Sequence, residues 1–266
     1  MASLFSNIII SFIFLSGCLW PADLPADIGR MREAVYEGRF YPENADDLKT
    51  VIREYTERAA KTPLDIPSGK KLKALVLPHA GYIYSGWTAA HAARVLENRS
   101  FKKIILMGPD HRVGYSGCAV SDVPAYETPF GSVPLHPDAR RLRQNFGGLF
   151  KSVLESDAME HSIEVQLPFL QYYLENFNLI PMVMGPAEPQ RYADAIAGLL
   201  DTDTLVVVSS DLSHYLPYDQ ATAMDKDTIR HILDRDMEFL ADHPDRACGT
   251  IPLTVLTRLA LDRNWT

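Results

Sequence analysis

Three histidines occupy the same kind of place in this 266-residue chain. The apolar run 72–77 ends in Pro78-His79, and the run 103–107 ends in Gly108-Pro109-Asp110-His111. The run 205–208 ends in Ser209-Ser210-Asp211-Leu212-Ser213-His214. Imidazole is the commonest protein metal ligand and the side chain that most readily moves protons near neutral pH. A catalytic metal needs about three protein ligands and an open position. One strand-end histidine alone reads as a hydrogen-bonded structural residue. Three at equivalent positions, each preceded by Pro, Asp or Ser, read as a metal or catalytic site.

Further residues could join them. Asp211 and His214 could act as an acid and base pair, or Asp211 could cap the following turn. Glu160-His161-Ser162-Ile163-Glu164 opens a helix. Capping accounts for the carboxylate, whereas His161 at that turn would line the same cleft. Cys248-Gly249 near a helix start offers a soft ligand or nucleophile, or a small buried hydrophobe. Cys118 lies in an apolar strand and reads as core. A disulfide between Cys118 and Cys248 is open, with free thiols the expectation. His91, His136, His231 and His243 read as surface or packing residues. The chain has no Gly-x-Ser-x-Gly elbow, phosphate-binding Gly-Lys-Ser/Thr loop, Gly-x-Gly-x-x-Gly or Cys-x-x-Cys.

The elements that must position these residues alternate between strand and helix. Asn44 predicts the cap of a helix over 45–60, with Asp46 and Asp47 in its first turn and Leu48, Val51, Ile52 and Tyr55 at helical spacing. Strand 72–77, helix 87–96 and strand 103–107 predict a parallel pair. Residues 118–121 read as a short strand, and 124–137, with four prolines, as a long loop with room for a hairpin. Helices are expected over 138–146, 161–175, 190–200, 220–235, 237–242 and 251–262, and strands over 179–184 and 204–208. Such alternation is the mark of an α/β fold, whose ligands bind beyond the carboxyl ends of the strands.

The hydrophobic fraction of 47% and charged fraction of 23% suit one globular domain over residues 31–266. The net charge of −8 argues against a nucleic-acid binder, and Lys70-Lys71 and Arg140-Arg141 are short basic clusters on solvated faces. Residues 8–15 form an apolar run too short to span a bilayer, but suited to a signal peptide. The following Leu15-Ser16-Gly17-Cys18 resembles the lipobox of bacterial lipoproteins, although no Lys or Arg lies between Met1 and Cys18. Lipidation of Cys18 would place the protein at the cell envelope; a true start at Met31 would leave it cytoplasmic. On both readings residues 1–30 lie outside the fold.

Pro78-His79-Ala80-Gly81-Tyr82, Gly108-Pro109-Asp110-His111, Glu160-His161-Ser162-Ile163-Glu164, Ser209-Ser210-Asp211-Leu212-Ser213-His214 and Cys248-Gly249 follow one another in an order that resembles the Memo family. Prokaryotic members are called AmmeMemoRadiSam system protein B. Gly38-Arg39-Phe40-Tyr41-Pro42 is similar to the family's amino-terminal signature. The resemblance implies a three-layer α/β/α sandwich around a mixed, mostly parallel sheet, shared with the class III extradiol dioxygenases. It implies one iron or copper ion on His79, His111 and Cys248. Asp211 and His214 match further site residues; together with His161, read from its place at a helix start, they would surround the ligands as supporting residues or form the acid/base set.

A cysteine where the dioxygenases carry a carboxylate makes the site softer, so ring-opening activity does not transfer with the resemblance. The expected role is metal-dependent redox or oxygen chemistry on an unidentified substrate. The alternatives are an extradiol-type dioxygenase acting on a small aromatic, and a non-enzymatic ligand- or peptide-binding module. The expected partners are a small molecule or peptide in the cleft and, from the prokaryotic name, a radical-SAM protein. A membrane contact would run only through a lipid on Cys18. Family members continue past the cysteine helix into closing strands, so a truncated carboxyl end or an unusual sheet edge is expected here.

Overall fold

A computed structural model describes residues 29–64, 66 and 69–265. The apolar run 8–15 and the Cys18 motif lie outside the described residues. The elements in chain order are α1 (Ala45–Ala60), β1 (Ala74–Leu77), α2 (Tyr82–Ala93), β2 (Lys103–Pro109), β3 (Cys118–Ala119), β4 (Ala125–Tyr126), β5 (Val133–Pro134), α3 (Pro137–Asn145), β6 (Phe150–Lys151) and α4 (Leu154–Asp157). They continue with α5 (His161–Glu164), α6 (Leu167–Tyr173), β7 (Asn178–Met184), α7 (Pro189–Ala197), β8 (Thr204–Ser209), α8 (Tyr218–Leu233), α9 (Met237–Asp242) and α10 (Thr250–Asp262). Asn44 caps α1 as its sequence predicts, accepting from the amides of Asp46 and Asp47. The loop 124–137 holds the small β4–β5 hairpin.

The six-stranded sheet has the order β1-β8-β2-β7-β3-β6. Strands β1, β8, β2 and β7 run parallel, β3 is antiparallel to β7, and β6 is parallel to β3. Along β2, Ile104 and Leu106 face a core shared with α1, α2 and α6, while Ile105 and Met107 face a core shared with α3, α7, α9 and α10. Period-two alternation with both faces buried is why these strands read as continuous apolar runs. The outcome is an α/β/α sandwich. Each buried Leu or Ile contributes about 1.5–3 kcal/mol, and Leu106→Ala would cost about 2–5 kcal/mol.

Two expectations need correction. Strands β1 and β2 are parallel but not neighbours, because β8 lies between them. The β1–α2–β2 connection packs α2 on one face of the sheet, and the β7–α7–β8 connection packs α7 on the other. A helical crossover is long enough to leave a slot for one strand, and β8 fills it. The helix expected over 161–175 is instead two, α5 and α6. Pro168 lacks an amide donor and is tolerated only in a first turn, so a new helix starts at Leu167.

Strand β1 is an edge, bonded only to β8 among the described strands. A groove of about 850 Å³ runs along it between the two helical layers, lined in part by Leu72, Leu75, Val95, Leu256 and Trp265. No helix among the described residues is long and apolar enough to cross a membrane.

Candidate metal centre

Parallel strands end together, and the register decides which loops meet. Leu77 of β1 lies beside Ser209 of β8, and Val208 lies beside Met107 of β2. Continuing each strand by a few residues brings His79, Asp211 and His111 to one edge. The inserted strand β8 therefore sets Asp211 between two histidines that lie apart in the chain. Asp211 Oδ1 accepts from the amides of His79 (2.8 Å) and Ala80 (3.3 Å), locking the β1 and β8 loops together.

His79 is 1% exposed. Its Nδ1 lies 2.8 Å from Ser209 Oγ, which also accepts from Gln166 Nε2 at 2.8 Å. The Gln166 amide further donates to Pro78 O at 2.9 Å. Burial lowers the His79 pKa, with the Asp211 carboxylate opposing only in part. His111 is held differently. Glu160 caps α5 and is fully buried, taking the His111 ring at Nδ1 (2.9 Å), the His111 amide (2.8 Å) and the Ser162 amide (2.8 Å). Burial alone would lower the His111 pKa, but the Cys248 sulfur and the Glu160 carboxylate outweigh it and raise it. Burial would raise the Glu160 pKa, but its donors hold it low. Gly108 permits this approach, since a Cβ there would collide with Ser162 of α5.

Cys248 arrives from the turn Pro244–Arg246 at the start of α10. Its amide donates to Asp211 O (3.3 Å), and its sulfur accepts from the Asp211 amide (3.2 Å) and lies 3.1 Å from His79 Nε2. Gly249 is needed beside it, because a Cβ would strike Ser210, whose hydroxyl accepts the Gly249 amide at 3.0 Å. Cys118 is buried in β3, and both Cys118 and Cys248 are free thiols. His79, His111 and Cys248 each present one ligand atom, all within 4.8 Å of one another. A tetrahedral ion with bonds of about 2.0–2.3 Å keeps its donors roughly 3.3–3.8 Å apart, so little movement separates this cluster from a coordinating one. Two imidazoles whose outer nitrogens are already bonded, plus a thiol, are a donor set that suits a soft or borderline metal.

The other expected site residues ring this cluster. His161 stacks on His111 (centroids 4.6 Å) and meets His79 edge-on (5.2 Å). Its Nδ1 is buried without a hydrogen-bond partner, and burial lowers its pKa. Phe40 lies 5.2 Å from the His161 ring. The segment carrying Phe40 is tied down by the buried Glu164 carboxylate, which bonds Arg32, Tyr41 and the amides of Val35 and Tyr36. His214 is more exposed, with Nε2 4.0 Å from Asp211 Oδ2, and with Cys248 these two form a second cluster of ligand type.

Ser209 and Gln166 are site residues that the spacing of histidines does not reveal. A glutamine between Val165 and Leu167 in an otherwise apolar stretch is the signal that could have found one of them. Among the histidines set aside as packing residues, His136 caps α3. His231 and His243 sandwich Phe239.

The Memo-like protein family profile matches residues 32–263. MEMO1 family protein MK0963 of Methanopyrus kandleri is 34% identical over 237 residues, covering 83% of each chain. MEMO1 family protein TV1383 of Thermoplasma volcanium is 32% identical over 238 residues, covering 86% of each. A MEMO1 family protein of Aquifex aeolicus is 31% identical over 239 residues, covering 85% of each. With the profile matching residues 32–263 and relatives more than 30% identical over most of its length, the chain belongs to the Memo-like family.

Proposed function

We propose that the cleft binds one redox-active ion, iron or copper, through Nε2 of His79, Nε2 of His111 and Sγ of Cys248. The observation that carries this reading is the convergence of the three atoms, with both histidines fixed from behind at Nδ1. Fixing the outer nitrogen orients the ring and leaves Nε2 for the metal. When bound, such an ion supplies one-electron redox chemistry or Lewis acidity toward a small molecule.

The chain's own residues divide the remaining work. His161 stacks on His111 and meets His79 edge-on, beside the three proposed ligand atoms. His214 stands at the exposed mouth with its Nε2 4.0 Å from Asp211 Oδ2, where the two would serve a bound ligand as acid and base. Asp211 also keeps the His79 loop in place through two backbone amides.

The test is anaerobic reconstitution of the purified chain with Fe(II) or Cu(I), followed by metal analysis of wild type and Cys248→Ala. One ion per chain in the wild type and loss of at least about 100-fold in affinity in the variant are expected. An undiminished stoichiometry and affinity in the variant would remove Cys248 as a ligand. Absence of binding in the wild type would end the metal reading.

A further inference from the structure

Helix α8 has one fully buried residue, Thr228, and packs Ile232, partly buried, against the core beneath α7 and α10. Its attachments to the two cleft segments are polar. Asp225 Oδ1 accepts from the amide of Ser213 at 3.0 Å, one residue before His214. Asp227 Oδ2 accepts from Arg246 Nη1 at 3.4 Å, two residues before Cys248. Positions two apart on a helix point in nearly opposite directions, so one helix reaches separately toward two segments of the cleft.

The second attachment is reinforced by a ring stack. His231 of α8 lies flat on Phe239 (3.5 Å between centroids, 4° between planes), and Phe239 lies on His243 (4.3 Å). The Arg246 guanidinium sits over the same Phe239 ring. The first attachment has little support. The Ser213 hydroxyl is buried without a partner, and the next residue but one, Tyr215, has φ 57 and is fully exposed. A tyrosine in the left-handed region is strained.

We propose that α8 is a positioning brace for the cleft, in which Asp227 sets Cys248 through Arg246 and Asp225 sets His214 through Ser213. The Cys248 half rests on the reading of that residue as a metal ligand. These carboxylates are positioning residues; neither touches the proposed metal. Without Asp227 the turn Pro244–Arg246 keeps its ring stack but loses its ionic anchor, and the sulfur samples positions away from the histidines.

The experiment compares Asp227→Ala, Arg246→Ala, Arg246→Lys, the Asp227→Ala/Arg246→Ala double variant and Asp225→Ala in the full chain. Iodoacetamide labelling of Cys248, followed by peptide mass in the metal-free protein, and Fe(II) affinity by chelator competition are the readouts. Loss of a half-buried pair of this kind is expected to speed labelling and weaken Fe(II) binding by about 3- to 10-fold. The double variant should be no worse than either single one, and Arg246→Lys should restore most of the wild-type values. Asp225→Ala should leave Cys248 labelling unchanged and accelerate chymotryptic cleavage after Tyr215. Wild-type labelling and affinity in both Asp227→Ala and Arg246→Ala would overturn the brace. Additive effects in the double variant would overturn the coupling. Should Asp227→Ala not fold, the Arg246→Ala and Arg246→Lys pair carries the test alone. If Cys248→Ala binds Fe(II) like wild type, the reading of Cys248 as a ligand fails, but the labelling rates, measured without metal, still decide the brace.

Discussion

The two histidine arms of the cleft do the same job with opposite chemistry. Behind His111 stands a buried carboxylate, Glu160, held by backbone amides. Behind His79 stands a neutral chain, a serine hydroxyl and then a glutamine amide. Both arms fix Nδ1 and leave Nε2 facing Cys248. A charged partner makes its imidazole the more basic donor, so on the metal reading proposed above the cleft would pair one strong and one weak nitrogen ligand. What the difference teaches is that ligand orientation and ligand strength are set separately here, by geometry in both arms and by charge in only one.

Substitutions can break that comparison, in order of expected effect on Fe(II) affinity. Glu160→Gln should weaken binding by about 10- to 100-fold while leaving the stoichiometry at one; chelator competition measures this, and an effect below that of the serine variant would invert the comparison. Ser209→Ala should cost about 10-fold, since His79 keeps its loop contacts through Asp211 but loses the partner of Nδ1. Gln166→Leu should change affinity only severalfold, yet lower stability by about 1–3 kcal/mol in urea unfolding, because Pro78 O and Ser209 are left with one donor fewer. Lys103→Met is the control. Lys103 opens the strand that ends near His111, and its ammonium meets Asp201 at 2.9 Å and Asp138 at 3.2 Å. Removing it should cost about 3 kcal/mol of stability and leave metal affinity alone. A matching loss of affinity would mean that strand β2 couples its two ends.

Much of this was legible in the sequence, and the illegible part has a common cause. Helix α1 with its Asn44 cap and the short helix Met237–Asp242 depend on local signals, and the structure has both at the expected residues. The strand ends carrying His79, His111 and Asp211 were readable because each apolar run stops where polar residues begin. The slot taken by β8 was not, since nothing local in β1 or β2 reports which strand will come between them. Nor was the split at Gln166, where the helical pattern runs on and only Pro168 marks the break. Glu160 was visible as a cap, but its bond to His111 spans 49 residues and depends on how closely α5 approaches β2. Pairings across the fold are a property of register, and one chain seen alone does not display register.

The interposed strand also fixes an order of events during synthesis. As the chain leaves the ribosome, β1 and β2 appear early, with both histidines already made and a vacant lane between them. That lane stays open until residues 204–209 emerge, and the sulfur follows later still. A nascent chain therefore holds the two imidazoles without the Cys248 thiol and without the strand that brings them together. Non-local parallel pairing of this kind is slow and leaves strand edges exposed while it waits. On the metal reading proposed above, capture of the ion would belong to the end of folding, and an ion supplied early would find no complete site.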